Sequence, residues 1–445
     1  MSVNPTERSD ADAAGIPAAG FTAVLRLREF RLLWLADIQS LLGDQVARVA
    51  LSVLVFDSTR SGLATAAVYA LTFLPALLGG VLLGHLADRL PRRALLVVGD
   101  LVRAALLAAM TIPNLSIGVL SSLLVLSVLV GTPWKAAESA LVVDILPTSD
   151  YPMGLGLRAA TSQAAQLAGF AAGGLAVAAI GSRTALAVDA VTFLISAIVI
   201  RVGVRLRPPV VHLAPQPPGE FAGVRHRAWL TGPRAVFGDP RLRTLLAFSW
   251  LLGLIVVPEG LAAPYAAQLG GGAQSVGVLL ASGPAGVLIG TVIYTRWLSA
   301  STRAALLGPF AAATGLPLVL CLATPGIAVS CLLWALAGTF TGYQVQVVTE
   351  FVETIAPRVR GQGIAIASAG LLGAQGIGLL AGGLMSQFTA PTTAIAAAGG
   401  TAVILGSALG LVRHRHRHRH GESWPPQQHA HHRRQSPPKS PKTAK

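Results

Sequence analysis

Residues 84–93 read GHLADRLPRR, from Gly84 to Arg93, and gather Asp88, Arg89, Arg92 and Arg93 in one short stretch. The segments on either side, about 62–87 and 94–113, are apolar and long enough to cross a bilayer, which takes about 20 residues. A charged turn between two such segments reads as a loop at a membrane surface, and Pro91 suits a tight turn there. Working outward, apolar stretches and short polar breaks keep alternating. Twelve candidate spans fall at about 32–56, 62–87, 94–113, 116–138, 155–180, 184–203, 243–267, 274–298, 304–323, 326–349, 361–386 and 391–412. They are too continuously apolar for soluble core helices, and their richness in Gly and Ala suits packed membrane helices.

Composition agrees. The chain of 445 residues is 53% hydrophobic and 12% charged, where a soluble domain carries roughly 25% charged residues. Mean hydropathy is +0.63. Intrinsic disorder over most of the length is excluded, because disorder needs low hydrophobicity. Two cysteines, Cys321 and Cys331, exclude a disulfide scaffold and read as small core hydrophobes in apolar stretches. The net charge of +15 is a matter of placement. With both termini inside, the outer loops hold only Arg60 and Arg183 of the 34 basic residues, and Arg48 and Arg103 lie within spans. That bias predicts cytoplasmic termini and a multi-pass protein of the plasma membrane, and it answers the suggestion of nucleic-acid binding.

The predicted organisation is a cytoplasmic tail over 1–31, six spans over 32–203, a linker over 204–242, six spans over 243–412 and a disordered tail over 413–445. The linker starts with Pro208, Pro209, Pro215, Pro217 and Pro218, then turns basic around Ala228–Leu242, as a surface helix would. The tail opens with RHRHRHRH from Arg413 to His420; it reads as a solvated segment drawn to anionic lipid, with metal buffering by its histidines as the alternative. An extended strand with alternating Arg argues against a tight metal site. Six spans, a central loop and six spans is the layout of a transporter built from two halves.

GHLADRLPRR resembles the cytoplasmic loop signature of the major facilitator superfamily, with Gly84, Leu86, Asp88, Arg89, Arg92 and Arg93 matching and Pro91 standing where that family has Gly. FRLLWLADIQSLLGDQVARVAL in span 1, VDAVTFLISA in span 6, VPEGLAAPYAAQLGGG in span 7 and VRGQGIAIASAG at span 11 look like the drug-exporter branch that includes macrolide and siderophore exporters. The resemblance implies an all-α membrane fold of twelve transmembrane helices. These form two six-helix halves about a pseudo-two-fold axis along the membrane normal, with spans 1, 4, 7 and 10 lining a cavity and spans 2, 5, 8 and 11 forming the seam. It implies a gate in which Asp88 faces the start of span 11 near Gly361 and shuts the cytoplasmic side, while Arg92 reaches Glu138 or Asp144. GFAAGG from Gly169 departs from the superfamily's antiporter signature at Phe170. Gly-x-x-x-Gly pairs at Gly80/Gly84, Gly169/Gly173, Gly286/Gly290 and Gly378/Gly382 are expected to let the halves slide.

Charge inside a span is costly and marks function. Asp44 and Arg48 lie four apart on one helix face, as an ion pair or as part of a proton relay. Asp100 and Arg103 are expected to pair locally, and Asp37 to reach water. Asp189 has no partner in its own helix and faces a neighbour or a polar cleft. Glu259 follows Pro258, which bends a helix, and has no Lys or Arg within a turn; it is a proton carrier or a wetted acid near the outer mouth. Gln45, Trp134, Trp250, Tyr265, Tyr343 and Gln344 are the candidate substrate contacts, with Gln39, Lys135 and Gln346 as further possibilities. Aromatics and amides amid aliphatic surface suit an amphipathic organic molecule. No P-loop, H-E-x-x-H or G-x-S-x-G occurs, and Gly376-x-Gly378-x-x-Ala381 lies within a predicted span, so neither an enzyme nor a cofactor or metal is expected. The reading is a monomeric secondary exporter of a small molecule, driven by protons in antiport. An importer or uniporter is the alternative within transport. A non-transporting sensor or assembly protein is the rival of another class, disfavoured because the tail is too short and polar to be a folded appendage.

Overall fold

The computed structural model describes residues 21–83, 85–207, 231–324 and 326–420, without the side chains of 21–23, 81, 88 and 417–420. Among the described residues the regular structure is helical throughout. Eleven helices are long and apolar enough to cross a membrane. They are span 1 (Arg28–Thr59), span 2 (Gly62–Gly80), span 4 (Ile117–Ile145), span 5 (Tyr151–Ile180), span 6 (Ser182–Gly203), span 7 (Pro240–Gly260), span 8 (Ala273–Arg296), span 9 (Ala300–Ala323), span 10 (Ile327–Thr354), span 11 (Pro357–Phe388) and span 12 (Pro391–His416). Span 3 (Arg92–Met110) is the twelfth; it packs between spans 4 and 6, and Asp100 and Arg103 lower its hydropathy. The twelve-helix architecture predicted from the sequence is the one observed.

Local chemistry sets many of the helix starts. The side chains of Ser61, Ser116, Asp239 and Ser299 each accept a backbone N–H of the first turn, opening spans 2, 4, 7 and 9. Gly181 alone joins spans 5 and 6, at φ +79°, a conformation that costs a glycine little. Several helices outrun their hydropathic limits, because hydropathy marks the hydrocarbon layer and not the end of the hydrogen-bond ladder. The helix of span 12 runs on to His420, so RHRHRHRH is helical here and not extended. Arg413 is not a solvated tail residue: its two terminal nitrogens donate to the Glu350 carboxylate at 2.7 Å each. Pro208, Pro209, Pro215, Pro217 and Pro218 of the linker and residues 421–445 lie outside the described residues.

Span 7 is broken into short helices over 240–250, 252–255, 257–260 and 262–268. Pro258 and Pro264 remove backbone donors there. Carbonyls freed by such breaks need partners inside a membrane. The Tyr343 hydroxyl and the Gln344 amide both donate to the Phe248 carbonyl, at 3.0 and 3.1 Å.

The halves, spans 1–6 and 7–12, meet through span 2 against spans 7 and 11 and through span 5 against span 8. A Cβ on Gly174 of span 5 would lie 2.6 Å from the Gly277 Cα of span 8, and Gly383 of span 11 abuts Leu63 and Ala66 of span 2. These approaches sit toward the end of the molecule that carries Thr59–Gly62, Gly181 and Phe388–Pro391. The Gly-x-x-x-Gly pairs do a different job from the one expected. Gly169 and Gly173 pack on span 1, Gly286 and Gly290 on span 10, and Gly378 and Gly382 on span 7, all within their own half, while Gly80 meets nothing within 4 Å and Gly84 lies outside the described residues. Adjacent glycines such as Gly173 and Gly174 point about 100° apart on a helix and so serve two interfaces.

Candidate functional site

Inside the first half, spans 1, 2, 3, 4 and 6 line an open cavity of about 570 Å³, within the size range of small-molecule sites. Its walls combine Leu51, Leu107 and Met110 with Ser127, Thr132 and Ser139. Most of the charges singled out in the sequence converge on it, but with other partners than expected. Asp44 pairs with Arg103 of span 3, Nη2 to Oδ1 at 2.6 Å, and not with Arg48. Arg103 also lies over the Phe193 ring at 4.1 Å. Asp100 accepts from the Ser196 hydroxyl at 2.6 Å instead of pairing with Arg103. Asp189 is 1% exposed, accepts from Thr192 Oγ1 at 3.0 Å, and occupies room that Gly43 leaves on span 1. One oxygen of Asp100 and one of Asp189 make no hydrogen bond among the described residues. Helical spacing places two residues on one face, but a guanidinium chooses its partner among all the helices it can reach.

On the same cavity, Asp37 is 4% exposed and held by cations instead of standing free toward water. Lys135 Nζ donates to Asp37 Oδ1 at 3.1 Å, and Arg158 reaches Asp37 Oδ2 at 3.4 Å. Glu138, proposed for the gate, belongs to this group: it pairs with Arg158 and lies 3.4 Å from Lys135. Two acids and two bases on spans 1, 4 and 5 thus form a balanced cluster, buried except for the half-exposed Lys135. Arg92 takes the other acid suggested for it, Asp144, and donates to the Ala140 carbonyl at 3.3 Å. Arg89 is exposed and Arg93 half-buried. The Asp88 side chain lies outside the described residues. A Cβ on Gly361, where span 11 starts, would meet no described atom within 4 Å, and the halves touch at the opposite end.

The second half holds a smaller cavity of about 260 Å³, lined by Trp334, Gln344, Gln375, Thr341 and Glu259, with Gln166 of span 5 reaching in from the first half. Glu259 is therefore a cavity acid and not a surface one. Its Oε2 accepts the Tyr69 hydroxyl of span 2 at 2.8 Å, a bond across the seam between halves. Tyr69 is 2% exposed, and the Arg48 guanidinium stands 5.9 Å from its ring and 5.5 Å from that of Phe73. The sequence reading missed Tyr69. The available signal was a phenol in an apolar span, since a buried hydroxyl needs a partner.

Among the six proposed substrate contacts, Trp134 and Gln344 face the cavities. The others have structural places. Tyr265 is fully buried, bonds Ser330 Oγ at 2.8 Å and packs on Trp334. Tyr343 caps the broken span 7. Trp250 donates to the Ala367 carbonyl at 3.3 Å, and Gln45 packs against Gly169. Gln39 donates to the Thr192 carbonyl at 2.6 Å and Gln346 to Glu350 at 2.9 Å. Buried aromatics and amides satisfy backbone and neighbours before they become available to a ligand.

This arrangement offers a cavity in each helical half, large enough for a small molecule in the first. The family profile described as Major Facilitator Superfamily matches residues 33–259, about half of the chain. No curated protein matches. Among solved structures, the fold is similar to that of a bacterial homolog to the human lysosomal transporter Spinster in an inward-facing and occupied conformation, at 14% identity over 87% of this chain and 97% of that one, with a TM-score of 0.64. It is similar to peptide transporter POT in complex with sulfate, at 16% identity over 93% and 99%, TM-score 0.67. It is also similar to nucleoside transporter NupG, at 15% identity over 86% and 99%, TM-score 0.68. At such identities these likenesses concern the fold alone. With the profile and the two-half, two-cavity architecture agreeing, the chain belongs to the Major Facilitator Superfamily of membrane transporters.

Proposed function

We infer that this protein exports small amphipathic organic compounds by alternating access in exchange for protons, from a plasma membrane in which both termini are cytoplasmic. The observation that carries the proton coupling is the group around Arg103: Asp44, Asp100 and Asp189 share the electrostatic reach of this one guanidinium. Three carboxylates around one cation leave an excess of negative charge in a low-dielectric setting unless protons bind, so the group is suited to taking up and releasing them. Glu259 is a second carrier, set where the halves touch, so that its hydroxyl bond from Tyr69 forms and breaks as they rock. Orientation follows the basic loops: with the Asp88 loop inside, the touching end faces outward, and the described state opens to the cytoplasm. Apolar cavity walls with a few hydroxyls and amides support an amphipathic substrate.

Efflux of a compound panel from an efflux-deficient host, with and without a protonophore, tests this reading. The wild type is expected to lower accumulation of amphipathic compounds only while the proton gradient stands. Glu259→Gln is expected to abolish gradient-driven export and keep downhill exchange. Export by the wild type that ignores the protonophore would overturn proton coupling.

A further inference from the structure

We propose that Arg48 anchors an acidic group of the transported compound, so that the substrate class is an amphipathic organic anion; this rests on the export reading above. Arg48 lines the larger cavity, and among the described residues it makes no ion pair. The other cations on that cavity are spoken for: Arg103 by Asp44 at 2.6 Å and Lys135 by Asp37 at 3.1 Å. Asp37 and Asp44 hold those cations, while Asp189, almost wholly buried between spans 1 and 6, accepts from Thr192. Arg48 is the cation on that cavity left without a carboxylate partner among the described residues.

The surroundings of Arg48 fit the same reading. Tyr69 and Phe73 offer ring faces beside the guanidinium, and Leu51, Leu107 and Met110 line the same cavity. Ring faces attract a cation but do not neutralise it. A guanidinium fork matches a carboxylate in two hydrogen bonds, and the aliphatic wall takes the apolar body of the same molecule. A cationic group placed beside Arg48 would meet its unpaired guanidinium, which disfavours it there. Arg48 also sits beside Tyr69, whose hydroxyl holds Glu259 of the other half. An anion bound at Arg48 thus lies next to a hydrogen bond that crosses the closed end.

The test uses the full-length protein in phosphatidylcholine nanodiscs and three probes of one size: 1-naphthylacetate, 1-naphthylacetamide and 1-naphthylethylamine. Binding is read from quenching of tryptophan fluorescence, since Trp134 lines the cavity. Wild-type protein is expected to bind the anion about tenfold or more tightly than the amide, as a charge-assisted contact to a desolvated group gives. Arg48→Gln is expected to erase that preference while keeping the wild-type thermal midpoint, which reports an intact fold; Arg48→Lys should recover part of the preference. Equal wild-type affinity for anion and amide, preference for the amine, or an anion preference that survives in Arg48→Gln each overturns the proposal. Flux of the same probes in proteoliposomes separates the two readings. Anion preference at Arg48 with no flux of any probe sinks export and keeps the site, whereas flux confined to the amine sinks the site and keeps export.

Discussion

The two halves share a six-helix layout, yet their interiors differ in charge. The first carries Asp37, Asp44, Asp100, Glu138 and Asp189 with Arg48, Arg103, Lys135 and Arg158. The second carries Glu259, and Glu350 with Arg413 at its end. The comparison teaches how to separate a coupling charge from a structural one. Glu350 receives two bonds from Arg413 and one from Gln346, lies outside the cavities and has nothing left to offer. Around Arg103 the acids outnumber their cation, and two carboxylate oxygens have no hydrogen-bond partner among the described residues. Residue type is the same in both places; satisfaction is not.

The strongest way to break this contrast is Arg103→Gln. Transport is expected to disappear, and leaving the buried acids without their cation should lower stability by about 3 kcal/mol. Adding Asp44→Asn should restore the thermal midpoint without restoring transport. A single variant that exports normally would remove the first half's claim to coupling. Glu350→Gln is the counterpart in the second half: a loss of about 2 kcal/mol, from an imperfectly paired Arg413, with proton dependence unchanged in the protein that remains. Altered proton dependence there would erase the distinction. The smallest effect is conformational and sharpens the seam. Gly277→Val should hold spans 5 and 8 apart and raise labelling of a cysteine placed at Ser386 by an impermeant maleimide several-fold. Gly286→Val, which packs on span 10 within its own half, should cost stability and leave that labelling as it is.

Much of this architecture was legible in one dimension. The twelve crossings, the 6+6 division and the bent span 7 follow from apolar length and from Pro258. The list of odd charges was also legible, because a carboxylate in an apolar window stands out whatever surrounds it. Their pairings were not. Asp44 and Arg48 share a helix face, but Arg48 turns to aromatic rings on span 2, and Asp44 finds Arg103 fifty-nine positions later. Gly-x-x-x-Gly spacing announced close helix contacts but not which helix, and each described pair packed within its own half, Gly80 excepted. Tyr265 and Tyr343 resembled ligand contacts until the chain's own backbone and hydroxyls were seen to occupy them.

By itself the sequence determined how many times the chain crosses the membrane and, by the basic bias of its loops, which side each loop is expected to face. Hydrocarbon thickness and loop charge act on each segment separately, so local composition suffices. Only the tertiary structure decided that Arg103 serves Asp44, that Arg48 is left with aromatic faces and that Tyr69 meets Glu259 across the seam. These contacts join residues on different helices, and the Coulomb and hydrogen-bond terms that select them depend on distances set by packing, which no spacing along the chain encodes.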